Sequence, residues 1–173
     1  MRSHLILSGA LLLAGCASGV RHVQASEPLQ RQQKWALLPV QNRAETPQAG
    51  ERAESLLAML LRVRGVDDLQ LYPAPAASAD ELTPGERQRF EAALEWARKT
   101  GFSYGVTGSV NEWHYRSGQD GDPAVGLELE VIDLRTGKVI WSASGARSGW
   151  GSDTVSGTAE KLIDELVAQM EVR

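Results

Sequence analysis

Two glutamates that lie two residues apart are the side chains best placed to do chemistry in this 173-residue chain. Glu128 and Glu130 alternate with Leu127 and Leu129, which is the pattern of a strand with one buried and one polar face. On such a strand their Cα atoms are roughly 6.5–7 Å apart, a separation at which two carboxylates can act as acid and base on a glycosidic bond. A solvated strand face explains the same pattern, so both interpretations stay open.

The neighbours of this pair extend the predicted surface. Ile140, together with Trp113 and Tyr115, is expected on the same face as the glutamates. A mixed acidic and aromatic face is typical of a surface that contacts another molecule. Further carboxylates lie in the turn before the strand. We therefore predict an acidic contact surface with four members: Glu128, Glu130, Asp120 and Asp122.

No other group of residues forms a catalytic or metal-binding pattern. His114 is the one histidine expected in the folded part of the chain, and a lone strand histidine is more often a surface residue than a general base. The sequence has no His/Cys cluster with metal-ligand spacing, no Gly-x-Ser-x-Gly elbow and no phosphate-binding Gly-Lys-Ser/Thr loop. We therefore expect a protein that is not an enzyme and that has no metal and no cofactor.

The N-terminus has the layout of a secretory signal peptide over residues 1–15. Arg2 precedes a short apolar run, and small residues then lead to Cys16, the only cysteine. The run is too short to span a bilayer permanently. The sequence Leu-Ala-Gly-Cys resembles the lipobox of bacterial lipoproteins, in which the cysteine is lipidated after cleavage. Ala17, where many inner-membrane lipoproteins have Asp, resembles the outer-membrane class. An ordinary signal peptide with a chance cysteine is the alternative.

Composition limits the class of protein and its partners. Removal of residues 1–15 leaves 17 basic and 22 acidic side chains, a net charge of −5, which argues against nucleic acid and permits a cationic partner. The hydrophobic fraction of 42% is that of a globular protein. We expect a lipidated N-terminus and irregular tether at residues 16–33 and one domain at residues 34–173. Five tryptophans against two phenylalanines suggest a self-association surface.

Apolar spacing from residue 34 onward predicts the element order β-α-β-α-β-β-β-α. The expected fold class is α+β, with a mixed, largely antiparallel sheet and helices packed on one face. An antiparallel meander over residues 104–145 places the 117–123 turn and the 145–153 loop at the same end of the sheet. Trp150 lies in that loop, either folded onto the C-terminal helix or exposed to a membrane surface.

Residues 35–40, 50–55, 61–66 and 141–145 carry a resemblance that extends over nearly the whole chain. They resemble the PelC family, outer-membrane lipoproteins of Pel exopolysaccharide export. Residues 104–110 and 133–137 also resemble periplasmic lipoproteins that share the fold of the TolB N-terminal domain and of the curli secretion lipoprotein. The lipobox and the Trp150 loop make the PelC resemblance the more specific one.

The resemblance implies a non-enzymatic protein on the periplasmic face of the outer membrane, held there by lipid at Cys16. PelC-like proteins form a dodecameric ring that works with the outer-membrane export protein PelB in biofilm formation. Their acidic surface would guide a cationic polysaccharide to the export barrel, and an aromatic belt that includes Trp150 would face the membrane. A lipoprotein regulator of a cell-wall enzyme and a membrane-tethered polysaccharide hydrolase are the alternatives.

Overall fold

A computed structural model describes residues 20–23, 28–73, 85–116 and 121–173. The predicted signal peptide and Cys16 lie outside these ranges. The described chain forms six strands and three helices: β1 Val20–Val23, β2 Trp35–Asn42, α1 Ala49–Val63, β3 Leu69–Leu71, α2 Glu86–Thr100, β4 Tyr104–Tyr115, β5 Pro123–Asp133, β6 Lys138–Ser148 and α3 Val155–Val167. The strands form one sheet in the order β1-β6-β5-β4-β2-β3. Only the β2–β3 and β2–β4 pairs are parallel, which confirms the predicted α+β fold with a mixed, largely antiparallel sheet.

The main core lies between one face of the sheet and helices α1 and α3. Along β5, Leu127, Leu129 and Val131 point into this core, in agreement with the predicted alternation. Each fully buried side chain of this kind contributes roughly 1.5–3 kcal/mol to stability. Helix α3 is capped by Thr154, whose Oγ1 accepts a hydrogen bond from the Gly157 N–H at 3.0 Å.

Helix α2 covers part of the opposite face. Trp35 and Leu37 of β2 belong to the main core, whereas Ala36 and Leu38 cluster with Ala93 of α2 in a smaller second core. Because neighbouring residues of a strand point to opposite faces, α2 lies across the sheet from α1 and α3. The expectation that helices share one face therefore holds for α1 and α3. The apolar spacing of a helix does not specify which face of a sheet it covers.

Side chains close the outer edge of β2 where it extends beyond β3. The Val40 N–H donates to Glu54 Oε1 of α1 at 2.9 Å, and the Asn42 N–H donates to Glu86 Oε1 of α2 at 3.1 Å. Arg89 of α2 lies 3.4 Å from the Glu54 carboxylate. Burial raises the pKa of Glu54, while the Val40 N–H and Arg89 lower it. These carboxylates occupy donors that an open strand edge would offer to another chain.

Strand β1 lies within the segment predicted as an irregular tether. It pairs antiparallel with β6, from Val20 opposite Gly145 to Val23 opposite Ser142. The tether interpretation did not include this strand, because backbone hydrogen bonds to a distant partner leave no periodic pattern in four residues. The chain is thus attached to the sheet well before residue 34.

The two ends of the meander meet as the topology predicted. The Gly149 N–H donates to the Pro123 carbonyl at 2.8 Å, which joins the loop after β6 to the start of β5. Strand β6 continues to Ser148, so the loop predicted from residue 145 is shorter than expected. Pairing of Ser148 with Ala124 accounts for the extension.

Most of the tryptophan surplus belongs to the core. Trp35, Trp113 and Trp141 are at most 2% exposed, whereas Trp150 is 84% exposed. These three buried tryptophans stabilise the core and are not available for self-association, so the tryptophan content alone does not support a self-association surface.

Candidate functional site

Three glutamates share the face of the sheet beside α2. Glu128 and Glu130 are half-buried on β5, on the side opposite the main core. Glu112 of β4 pairs with Gly126, two residues before Glu128, and therefore lies on the same face. We refer to Glu112, Glu128 and Glu130 as the acidic face. Glu112 was missed at the sequence level because it follows an irregularity in β4 that changes the alternation.

Two depressions follow the acidic face. A pocket of about 210 Å³ separates Glu128 and Glu130 from Phe90 of α2. A shallower depression of about 540 Å³ lies along the same face and includes Glu112. Together they follow β5 from Gly126 to Glu130, a distance of about 13 Å. The rest of the pocket lining is mostly polar: Gln41, Arg43, Thr107, Gly108 and Ser109.

The electrostatics of the pocket favour an added positive charge. Burial raises the pKa of Glu130 above its ordinary value of 4.5, and the charge of Glu128 raises it further. Arg43 acts in the opposite direction and lowers the pKa of Glu130. A bound cation would relieve the repulsion between the two glutamates. Hydroxyl and amide groups around the carboxylates suit a polar, hydroxylated ligand. Arg43 and Phe90 were missed because they come from elements far away in sequence.

The prediction that Ile140, Trp113 and Tyr115 lie on the face of the glutamates is wrong. Trp113 is buried in the main core on the other face, and Ile140 packs against that core. Tyr115 follows Trp113 by two residues on β4 and therefore lies on the same face as Trp113. Two register shifts explain these positions. One lies between Val110 and Glu112 on β4, just before Trp113. The other lies between Val131 and Ile132 on β5, whose partners Trp141 and Val139 flank Ile140 on β6. A slip of one residue moves the following side chains to the other face of a sheet.

The four predicted acidic residues do not form one cluster. The structure brings Glu128 and Glu130 together, whereas Asp122 precedes Glu128 by six residues and lies about 20 Å away along β5. Asp122 belongs to the end of the sheet where β4 and β5 are connected. Asp120 lies outside the described residues.

Trp150 is displayed at that same end of the sheet. The backbone N–H of Trp150 donates to Asp153 Oδ2 at 3.0 Å, and the backbone N–H of Asp153 donates to the Trp150 carbonyl at 3.1 Å. The hydrogen bond from Lys161, followed by that from the Trp150 N–H, lowers the pKa of Asp153. A Cβ on Gly149 would approach Thr158 Oγ1 to 2.6 Å, so the loop base is tightly packed. The loop is fixed while the indole is exposed, which does not agree with packing onto α3.

Comparison with solved structures assigns the chain to a family. It aligns with the PelC dodecamer from Paraburkholderia phytofirmans at 36% identity and a TM-score of 0.76, covering 91% of this chain and 99% of that chain. The chain belongs to the PelC family. A single-residue variant of the same PelC, also a dodecamer, matches at the same identity and TM-score over 100% of its length. No family model and no curated protein sequence matches the chain.

The PelC fold extends to a more distant lipoprotein. GNA1162 from Neisseria meningitidis aligns at 18% identity and a TM-score of 0.57, over 82% of this chain and 97% of its own. This likeness concerns the fold alone. It shows that the PelC arrangement of sheet and helices recurs in a protein of little sequence similarity.

Three further observations concern only the described part of this PelC-family chain. None of its helices has the length and apolarity needed to cross a membrane. None of its His, Cys, Asp and Glu side chains form a group of three suited to a metal ion. His114 is half-exposed and lies 3.6 Å from Glu112, which confirms the predicted surface position.

Proposed function

We propose that this protein is an outer-membrane lipoprotein of Pel-type exopolysaccharide export. It forms a ring under the membrane and guides a cationic polysaccharide towards the export barrel formed by a PelB-like partner. The single observation that carries the proposal is the match to the PelC dodecamer over 99% of that chain. The acidic face supports the guiding role, because carboxylates repeated around a ring sum to a field that attracts a polycation.

The direction of β1 supports a membrane-facing end. Because β1 runs antiparallel to β6, Val20 lies near the C-terminal end of β6, where the Trp150 loop begins. Three residues separate Val20 from Cys16, so lipid at Cys16 would leave the sheet from this end. Tyr115, which is 54% exposed, ends β4 at the same end. Lipid, Trp150 and Tyr115 would thus orient the strands along the membrane normal.

Cys16→Ser is expected to release the protein from the membrane fraction into the periplasm. The reason is that the thioether lipid is the anchor, and each buried methylene contributes about 0.8 kcal/mol to membrane binding. Fractionation and labelling with a fatty-acid probe measure the effect. Ala17→Ser, which keeps the cysteine, is the matched control and should label and fractionate normally. Equal labelling and fractionation of Cys16→Ser and the unmodified chain would contradict lipidation.

Reversal of charge at Glu128 and Glu130 is expected to reduce polysaccharide export and binding of a cationic amino-sugar polymer. Binding should also weaken as salt rises, since the attraction is screened. Glu160→Lys is the matched control, because Glu160 is exposed on α3 away from the acidic face. Normal export by the Glu128→Lys/Glu130→Lys variant, with its ring intact, would show that these are ordinary solvated positions.

The raised pKa of Glu130 predicts a pH dependence of polymer binding. Glu130 takes up its proton at a higher pH than an ordinary glutamate, so binding should start to weaken before the pH falls to 4.5. The folded state binds this proton more tightly than the unfolded state, so stability decreases as pH rises from 4.5 through the raised pKa. Glu130→Gln should therefore weaken binding at neutral pH without a loss of thermal stability. A binding profile identical for Glu130→Gln and the unmodified chain would exclude Glu130 as the titrating group.

A membrane-tethered hydrolase is the second candidate, favoured by one observation. The pocket holds two carboxylates, and the pKa of one of them is raised, as a general acid requires. Incubation of the purified protein with polysaccharide distinguishes the two functions. Release of shorter chains, lost in Glu130→Gln, would support the hydrolase, whereas reversible binding without turnover supports the guide.

A further inference from the structure

Exposed apolar side chains of the described residues fall into two groups. Tyr115 and Trp150 lie at the proposed membrane-facing end of the sheet. The other group lies on its two sides: Met59, Val63, Leu71 and Val139, which are 41%, 77%, 42% and 51% exposed. The second group is not explained by membrane contact, and its placement suggests a protein partner.

Three of these side chains form an edge patch beside β3. Met59 and Val63 are one turn apart on α1, and Leu71 ends β3, the last strand of the sheet. Arg62 Nη2 donates to the Leu69 carbonyl at 3.4 Å and links the helix to the strand. We refer to Met59, Val63 and Leu71 as the edge patch. Beyond β3, Glu54 and Glu86 occupy two backbone donors of β2, at Val40 and Asn42.

Val139 lies towards the opposite side of the sheet, on β6, and on the opposite face. It pairs with Ile132 of the second core, so it faces the α2 side. Leu71 pairs with Leu37 of the main core, so the edge patch faces the α1 side. Two neighbouring copies can therefore overlap at their margins, so that the α2-side face around Val139 of one copy contacts the α1-side edge patch of the next.

The two apolar sites also lie at nearly the same height along the strands. Cross-strand pairs connect one edge with the other through a single row: Leu71, Leu37, Val106, Val131 and Trp141. Trp141 is two residues from Val139, so the offset is about 7 Å or less. Heterologous contacts close into a ring only without a rise along the axis, and otherwise they form a filament. Equal height is therefore the arrangement that a closed ring requires.

Charges beside the two sites are complementary. Asp67, two residues before Leu69, is exposed next to the edge patch. Lys138, adjacent to Val139, is also exposed. A second row of pairs places them at similar height: Leu69, Trp35, Tyr104, Asp133 and Lys138. Overlap of two copies would bring Asp67 of one copy towards Lys138 of the next.

We propose that the edge patch binds the Val139 surface of a second copy of this chain, and that repetition of this contact closes the ring. This inference rests on the proposed ring and names the surfaces that build it. The contact is heterologous, so each copy uses the edge patch on one side and Val139 on the other. Each junction between two copies therefore uses one edge patch and one Val139 surface.

Two single variants test the contact, alone and mixed. Val63→Arg and Val139→Arg each place a charge in the junction, and each purified variant should be monomeric by sedimentation at concentrations where the unmodified lipidated chain in detergent forms a ring. An equimolar mixture should form a dimer and nothing larger, because one intact edge patch meets one intact Val139 surface. Ser148→Arg is the matched control and should keep the full ring, because Ser148 is exposed at the other end of the sheet.

The outcomes separate this inference from the proposed function. A ring in the unmodified chain that persists in both variants overturns the contact and leaves the ring standing. A monomeric unmodified chain overturns the ring itself. Circular dichroism and thermal melting verify that the variants are folded, and an arginine at Val63 suits the C-terminus of α1. The charge pair gives a second test: Asp67→Lys should weaken the ring and Asp67→Lys/Lys138→Asp should restore it, and no rescue in a folded protein would contradict the proposed alignment.

Discussion

Gly108→Ala is expected to destabilise the domain by about 1–3 kcal/mol, because the added methyl group has no space in the sheet. Its Cβ would lie closer than 3.0 Å to the Glu128 carbonyl oxygen and 3.1 Å from the Glu128 carbonyl carbon. These are backbone atoms, so no rotamer change relieves the overlap. The strand that carries Glu128 must shift, and polymer binding at the acidic face should weaken together with stability. Denaturant unfolding with linear extrapolation measures the loss.

Gly85→Ala is the matched control for this substitution. Gly85 precedes α2 with φ −59°, and a Cβ there would meet no atom within 4 Å. Its change in unfolding free energy should stay below about 1 kcal/mol, the cost of alanine in place of glycine at a helix N-cap, because the added methyl group displaces no atom. Equal stability of the two variants would mean that β4 and β5 do not approach as closely at Gly108 as described.

Trp150→Ala is expected to abolish membrane-dependent orientation and strongly reduce export, with almost no loss of stability. The indole is 84% exposed, so its removal costs little packing. At a membrane surface the same ring has a favourable position between headgroups and water. Trp113→Ala gives the contrast: that side chain is 2% exposed, and its loss should cost roughly 3–5 kcal/mol.

Fluorescence quenching tests the membrane contact directly. Lipid-borne quenchers in liposomes should reduce the emission of the unmodified chain and have much less effect on Trp150→Phe. The difference between the two proteins isolates one indole, since Trp35, Trp113 and Trp141 are buried in both and the partly buried Trp96 is common to both. Identical quenching of the two proteins, together with normal export by Trp150→Ala, would remove Trp150 from the proposed membrane contact.

The meander was predictable because the sequence of each strand alternates with the burial of its two faces. Alternation of Leu127 and Leu129 with Glu128 and Glu130 reflects a boundary between core and solvent that exists along one strand. The same rule failed for Trp113, because a register shift in β4 depends on how two strands fit together. The sequence pattern of a single strand does not indicate a register shift, because the shift is defined by the pairing with the partner strand.

Features that join distant segments were also missed. β1 has no periodic pattern of its own and forms through hydrogen bonds to β6, more than a hundred residues away. Arg43 and Phe90 reach the acidic face from a loop and from α2, and nothing in their local sequence connects them with Glu130. The acidic pair was therefore predictable as a face, whereas the pocket around it required the fold.

The pairing of β1 with β6 determines how tension on the N-terminus would reach the domain. Hydrogen bonds of an antiparallel ladder lie across the strands. A pull on the residues before Val20 acts along β1 and strains the whole ladder in shear, whereas a pull across the strand would open it one bond at a time. The four residues paired between Val20–Gly145 and Val23–Ser142 would therefore yield together. With the strands along the membrane normal, as proposed, a pull by the lipid anchor along that normal would load the ladder in shear, and all four pairs would transmit it to the sheet at once.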